Sequence, residues 1–531
     1  MKRSLQLAAL LFLPSFVAFA QVKPHIFYSD LESGPNTGGQ NQKGAFVSIF
    51  GRGFGSTRGA ATVSIGGGQA DNYPVWTDSK IIFQLGAAAR SGNIVVTLPN
   101  AGASNAIPFT VRAGAIYFVA PSGNDGNQGS FSSPWKTIVK AKNSIAAGDI
   151  AYVLNGVSQT GLDDYNASLA VGSAGAQGRP KALVAYPGAS VTIGSASGPE
   201  FGLRTPSISG GPFNDWVLSG FILRGGNESL DLRLVSRWRV IGNDLSCPNG
   251  DGPSACFEAA ASNNLKVLGN SIHDSGKQGG SKLYHSLYFT TDSNHLEVGW
   301  NVIANNHSCR GIQFHSSPDG AGSGFNQFDL VVHDNLIHGQ VCDGINFATI
   351  DPSKGPVQAY NNVIYQVGLG PDPPDGGANY ACISSPGITN SGSPGSGNAD
   401  WFNNTLYDCG GRGGRSSGAF NVSRGSPSVR LRNNLVYLKA GQNYLEPEGS
   451  ASLVSGSNNL WFGVGNGPSS LQGNLNRDPA FMNLGSLDFH LQKGSPAVHS
   501  GTGTQASQDF DGVSRGEGYD IGAYAMQGSV H

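Results

Sequence analysis

An asparagine recurs eight times in matching surroundings between residues 243 and 459, and this recurrence constrains the fold more than any other feature of the chain. Asn243 sits in Val-Ile-Gly-Asn-Asp-Leu, Asn270 in Val-Leu-Gly-Asn-Ser-Ile, Asn301 in Val-Gly-Trp-Asn-Val-Ile and Asn335 in Val-His-Asp-Asn-Leu-Ile; Asn362, Asn404, Asn434 and Asn459 follow. The intervals are 27, 31, 34, 27, 42, 30 and 25 residues. A period of that size is the mark of a solenoid. Short β-branched and apolar runs with period-two alternation make each repeat a coil of short strands and not a helical hairpin. Coils stacked at ~4.8 Å pair every strand in parallel with its copies above and below, and an asparagine at one corner can hydrogen-bond along the stack. The expected fold is all-β, a right-handed parallel β-helix with a long, flat polar face suited to an extended polymer.

Composition agrees. Glycine supplies 78 of 531 residues and charged residues only 13%, as a turn-rich β protein requires, while 39% apolar content argues against disorder. Residues 1–20 combine Lys2 and Arg3 with an apolar run from Leu5 to Phe19 and Ala18-Phe19-Ala20 before Gln21, the pattern of a secretory signal peptide. No later segment is apolar enough to span a bilayer. Without the two basic residues of the leader the formal charge moves from −2 to −4, which argues against nucleic acid or an anionic membrane as partner. All six cysteines lie between 247 and 409, and in an exported protein they imply disulfides. Cys247 and Cys256 bracket a short Pro/Gly loop, and Cys309 and Cys342 occupy one site in consecutive coils. Cys382 and Cys409 remain by elimination. No Cys/His spacing argues for zinc.

Residues 24–113 read differently from the repeats. Ala45-Phe-Val-Ser-Ile-Phe50, Ala61-Thr-Val-Ser-Ile65, Lys80-Ile-Ile-Phe83 and Asn93-Ile-Val-Val-Thr97 alternate with glycine turns, as in a small β-sandwich. Gly51-Arg-Gly-Phe-Gly55, Val63-Ser-Ile-Gly-Gly67 and Ser104-Asn-Ala-Ile-Pro-Phe-Thr-Val111 give this segment, over about ninety residues, a resemblance to the immunoglobulin-like IPT/TIG domain. The resemblance implies a spacer or binding appendage without catalytic residues. From residue 116 the text changes. Tyr117-Phe-Val-Ala-Pro-Ser-Gly-Asn-Asp-Gly126 and Ser133-Pro-Trp-Lys-Thr-Ile-Val-Lys-Ala141 resemble the N-terminal cap of pectate-lyase-like β-helix proteins, with a short helix over roughly residues 138–145 and a first strand from Ile150 to Leu154. Asp488-Phe-His-Leu-Gln492, Gly494-Ser-Pro-Ala-Val498, Asp509-Phe-Asp-Gly512 and Tyr519-Asp-Ile-Gly-Ala-Tyr524 resemble the closing segment of the same superfamily. The β-helix domain is therefore expected over residues 116–531.

Aligned on the asparagine, three segments fall in register: His285-Ser-Leu-Tyr-Phe289, Arg310-Gly-Ile-Gln-Phe314 and Asp343-Gly-Ile-Asn-Phe347. Leu or Ile at the third position and Phe at the fifth alternate as a core-facing strand requires. The positions between them form an outward column of Tyr288, Gln313 and Asn346. A second column holds Thr290, His315 and Ala348, with Glu258 one coil earlier. His285, Arg310 and Asp343 stand at the leading edge.

Resemblance to pectate-lyase-like enzymes implies that this face binds an acidic polysaccharide and cleaves it by β-elimination, which needs a group to neutralise the uronate, a base for the C5 proton and an acid for the leaving oxygen. Arg310 suits the carboxylate. His285 suits the base, Lys277 or Lys282 being alternatives, and Tyr288 or His315 the acid. Tyr284, Gln313, Asn346, Glu258 and Lys277 are candidate sugar contacts. On this reading Arg310→Ala or His285→Ala abolishes turnover and leaves stability nearly intact. If His, Arg and Asp are instead a turn network, both substitutions unfold the protein. Hydrolysis is the rival chemistry and needs paired carboxylates; Asp343 with Asp351, or Glu258 with Asp274 or Asp292, are the candidates, but the clean column holds a single carboxylate. A non-catalytic glycan-binding or adhesin-like surface protein is the third reading. Asp372-Pro-Pro-Asp-Gly-Gly377 makes bound Ca2+ an option, although such pairs are turn chemistry more often. His273, His307, His333 and His338 recur beside the corner asparagine as turn-satisfying rings. Gly410-Gly-Arg-Gly-Gly-Arg415 reads as a solvated loop.

Overall fold

The computed structural model describes residues 23–206, 211–318, 321–388, 392–411, 416–447 and 449–526. The expected leader, and residues 412–415 of the arginine-containing loop, lie outside the described residues. Residues 25–111 form a sandwich of two largely antiparallel sheets, and from Ile116–Val119 onward the chain winds into three parallel sheets of 12, 11 and 9 strands. One coil contributes Leu265–Leu268 to the first sheet, Ser271–Ser275 to the second and Tyr284–Thr290 to the third.

The asparagine ladder turns the corner between the first and second sheets. Asn301 is typical: its Nδ2 donates to Val267 O and Asn335 Oδ1, both at 2.9 Å, while its Oδ1 accepts from Asn270 N at 2.9 Å and Asn270 Nδ2 at 3.0 Å. The pattern repeats from Asn243 to Asn459, and every rung is buried. The residue before each rung adopts positive φ, between 52° and 63°. Most of these are not glycine, so the ladder's bonds offset a backbone conformation that costs ~1–2 kcal/mol per residue. Gly269 has a second reason: a Cβ there would stand 1.6 Å from Tyr28 Oη of the small domain.

Inside the stack the expected alternation holds. Phe289 stacks on Phe314 at 5.2 Å and Phe314 on Phe347 at 5.1 Å. Helix Ile138–Ser144, capped by Thr137, sets Ile138 and Ala141 into the core of the first coils. Cys247–Cys256, Cys309–Cys342 and Cys382–Cys409 are disulfide-bonded. The double substitution Cys382→Ser/Cys409→Ser opens a 27-residue loop and is expected to lower stability by ~2–4 kcal/mol; denaturant unfolding with and without reductant checks this, since reductant should then have little further effect at that bridge.

Two of the three outer faces are covered. The small domain packs on the first sheet: Ile26, Phe46, Val47 and Phe83 share one apolar cluster with Phe118, Tyr152, Val184 and Val217. Arg239 pairs with Glu32 and donates to Ser29 O, and Phe27 stacks on Trp300 at 5.7 Å. The C-terminal segment, expected to close the far end, instead lies along the second sheet, where Phe481, Phe489 and Leu491 meet Tyr407, Leu435 and Leu460. The apolar outer positions of that sheet explain the difference, since they need a cover. The third sheet carries its polar column outward.

Candidate functional site

The third sheet is held in register by parallel pairing of Tyr284–Thr290 with Arg310–His315 and then Ile345–Phe347. His285 stands opposite Arg310, Tyr288 opposite Gln313, and Gln313 opposite Asn346. The same column runs back through Glu258, Asp231 and Arg204 and on through Ser384 and Asn421. Glu258 therefore belongs with Tyr288 and not with Thr290, whose partner is Ala260. The sequence alignment missed this because strand Ser254–Ala260 begins inside the loop that the Cys247–Cys256 disulfide closes, so the spacing from the ladder asparagine differs there.

These side chains point away from the core but not into open water. Gln313 is 7% exposed and Asn346 1%. Along the leading edge, Asp375 accepts from Lys282 N at 2.9 Å and Ser281 Oγ at 2.7 Å, which draws segment 370–380 back across three coils. Along the trailing edge, Asp292 accepts from Ser323 N at 3.0 Å and from Ser316 Oγ. The polar floor thus lies between two loop walls. Among the described residues, several buried polar atoms on it lack a hydrogen-bond partner, including His285 Nδ1, Gln313 Oε1, His315 Nε2, Asn346 Oδ1 and Asn421 Nδ2. Buried polar groups are rarely left so, and a row of them on one face makes it the candidate site.

At the centre, Arg310 Nε reaches Asp343 Oδ2 at 3.3 Å, Arg310 Nη1 donates to Lys282 O at 2.9 Å, and Asn346 Nδ2 donates to Asp343 Oδ2 at 2.6 Å. Burial holds Asp343 above the ordinary carboxylate range, with Arg310 opposing. The His285 ring meets the edge of Tyr288 at 5.0 Å. Burial, with Arg310 nearby, keeps both His285 and His315 below the usual imidazole range, so both are neutral near pH 7. Burial raises the Tyr288 phenol, which keeps its proton.

Several sequence-derived assignments are corrected. Tyr284 is not a sugar contact: its ring is fully buried in the core and its hydroxyl donates to Asn227 O. Lys277 is paired with Asp251 in the preceding loop. Lys282 lies on the leading wall, its Nζ 3.2 Å from where a Gly377 Cβ would stand. None of the carboxylate pairs considered for hydrolysis converges: Asp351 closes a turn with Ser353, Asp274 bonds His273 on the second sheet, and Asp292 holds the trailing wall. The repeated histidines bond or stack on side chains and do not cap the turn backbone: His333 meets Asp334 at 2.7 Å and rises to about 9 despite burial, and His338 stacks on Tyr365 at 4.9 Å. In segment 370–380, Tyr380 donates to Asp372. Among the described residues no three His, Cys, Asp or Glu side chains converge as a metal site.

Sequence reading also missed Arg204, Glu228, Asp231 and Arg233, which precede the first ladder asparagine. Asp231 lies 2.8 Å from both Arg204 and Arg233, and Arg233 also reaches Glu258 at 2.8 Å. The column thus holds more than one carboxylate. The usable signal was the alternation Leu230-Asp-Leu-Arg233. Burial raises Glu258 to about 7, against the pull of Arg233. Folding therefore favours the protonated acid, and Glu258 contributes stability that is present below about 4.5 and lost as pH rises toward about 7. Glu258→Gln should flatten that part of the stability–pH curve; an unchanged slope would show that another group carries it.

Against known proteins, an IPT/TIG domain model matches residues 32–111. The small domain is an IPT/TIG domain. No curated protein matches the sequence. Among solved structures, pectate lyase Pel9A aligns with TM-score 0.53 at 14% identity, covering 78% of this chain and 96% of that one. A rhamnogalacturonan lyase aligns with TM-score 0.42 at 14% identity, covering 70% and 91%. The GH136 lacto-N-biosidase from Eubacterium ramulus aligns with TM-score 0.34 at 12% identity, covering 68% and 67%. The likeness to Pel9A identifies the large domain's fold as a right-handed parallel β-helix beside the IPT/TIG domain.

Proposed function

We propose that the protein is an exported carbohydrate-active enzyme that cleaves a uronate-bearing polysaccharide by β-elimination on the outer face of the third sheet. The observation that carries the reading is a protonated phenol and a neutral, unpartnered imidazole on adjacent strands, Tyr288 and His315, beside the Arg310–Asp343 pair. The fold shared with pectate lyase is compatible with it.

In this mechanism Arg310, held in place by Asp343, hydrogen-bonds the uronate carboxylate, which stabilises the enolate that forms when the C5 proton leaves. The imidazole of His315, which is partly exposed, takes that proton. The C4–O4 bond breaks as the C4–C5 double bond forms, and the Tyr288 hydroxyl protonates the departing oxygen. Proton return from imidazolium to phenolate resets the site. His285, at 2% exposure, lies too deep to meet the sugar and acts as a positioning residue for Tyr288. Arg310→Ala is no longer a clean test, because it leaves Asp343 buried without its cation, a change that costs ~3–5 kcal/mol.

The experiment is incubation with uronate polymers while following both ultraviolet absorbance of unsaturated ends and new reducing ends. Both signals together support elimination. Reducing ends alone would move the chemistry to hydrolysis, for which the Asp231–Arg233–Glu258 cluster is the specific alternative, with Glu258 raised toward neutrality as proton donor. Silence in both channels would favour a glycan-binding protein.

A further inference from the structure

Upstream of Tyr288 and His315, the same outer face carries two arginines at a matching offset. Arg204 stands in the central column with Asp231, Glu258 and Tyr288, three strands from the phenol. Arg233 stands in the trailing column with Ala260, Thr290 and His315, three strands from the imidazole. Both are held in place. Asp231, fully buried between them, lies 2.8 Å from Nε of each. The Arg204 guanidinium also lies over the Phe201 ring at 4.0 Å, and Arg233 Nη2 reaches Glu258 at 2.8 Å. A guanidinium is planar and has five N–H donors, so each fork has more donors than these carboxylates occupy. Unlike the amides farther along the column, these side chains can be reached, being 24% and 28% exposed for Arg204 and Arg233. Charge favours an anion there. The two guanidiniums share Asp231, while burial raises Glu228 well above the ordinary carboxylate range and Glu258 to about 7, which favours their neutral forms. Residues 207–210, outside the described ones, bear no charged side chain.

Strands repeat every ~4.8 Å, close to the rise of one sugar in an extended chain lying along the helix axis. Three strands therefore span ~14 Å, or about three sugars. We infer that Arg204 and Arg233 form a distal subsite that takes a carboxylate-bearing sugar about three residues from the reacting uronate. Two preorganised forks suit a carboxylate because each can engage it through parallel N–H donors. The face then reads acidic sugars at two places on one chain, so the polymer it selects carries carboxylates at that spacing. This rests on the elimination reading for the reacting sugar, but the distal subsite is separable from the chemistry.

The test therefore measures binding as well as cleavage. Full-length Tyr288→Phe protein, made to prevent turnover, is titrated with oligogalacturonates and oligomannuronates of increasing length, and with xylo-oligosaccharides as neutral counterparts. At least one uronate series should show a step of ~10-fold or more in affinity as the chain grows from about three residues to about five, the worth of one charge-assisted hydrogen bond. Adding Arg204→Gln or Arg233→Gln, each verified as folded by its melting curve, should shrink that step several-fold. Arg204→Gln is the milder change, because Asp231 keeps Arg233. Arg204→Lys, which retains the charge, should preserve part of the step. Absence of binding in both uronate series, absence of a step, a step of equal size in the neutral series, or an unchanged step in both glutamine variants overturns the inference. With wild-type protein, unsaturated products formed without any dependence on chain length would overturn the subsite while leaving β-elimination standing. Reducing ends without unsaturation would overturn elimination, and the step in affinity would still decide the subsite.

Discussion

Tyr288→Phe is expected to lower kcat by ~10²–10⁴-fold, the usual contribution of a positioned general acid, with little change in melting temperature. Only the phenolic oxygen is removed, and the hydrogen bond it loses is to Thr290. The ring, and with it the contact to His285, stays. A purely structural role predicts loss that is independent of the leaving group. The acid role predicts partial rescue with a substrate whose leaving group departs without protonation, such as an aryl glycoside of the uronate. Wild-type turnover in the variant would remove Tyr288 from the mechanism. In the acid limb of the pH profile, kcat/KM should rise as His315 loses its proton, at a pH below the ordinary imidazole value because burial and Arg310 disfavour its cation.

The second large effect concerns stability. Asn301→Ala deletes two donors and one doubly used acceptor from the middle of the ladder and leaves the Asn270 amide N–H and the Val267 carbonyl buried without those partners. Each orphan costs ~1–3 kcal/mol, so a total loss of ~3–5 kcal/mol is expected. Asn301→Asp should not rescue it, because a carboxylate oxygen would then face Val267 O and Asn335 Oδ1, both acceptors. Unfolding in denaturant measures this; a midpoint unchanged in both variants would mean that the ladder is dispensable. The IPT/TIG domain, packed on the first sheet, should unfold in the same transition.

Much of this was legible in the sequence because stacking imposes identity. A corner that must bond to its own copies above and below selects the same side chain in every coil, so asparagine repeats and the coil boundaries follow. The register of His285, Arg310 and Asp343 came from that phasing. What escaped was set by partners distant in sequence. Tyr284 reads as an exposed strand neighbour, yet the core takes it because Asn227, from an earlier coil, accepts its hydroxyl. Asp231 and Arg233 lie upstream of the first rung, where no asparagine gives the phase. The leading wall depends on segment 370–380 reaching back over three coils to Ser281, a contact that no local pattern encodes.

The packing of the IPT/TIG domain bears on how the chain can be dissected and recombined. A module joined only by a linker behaves as a cassette, which can be trimmed, swapped or used as a tether. Here Tyr28 fills the space that Gly269 leaves, and the two domains share one apolar cluster. Truncation at residue 115 would therefore strip the first sheet of its cover and present Phe118, Val184 and Val217 to water, making aggregation the expected fate of the isolated β-helix. Exchange for an unrelated IPT/TIG domain would require the docking surface to be carried across with it. The pair has thus given up modularity, and the two domains are constrained to change together.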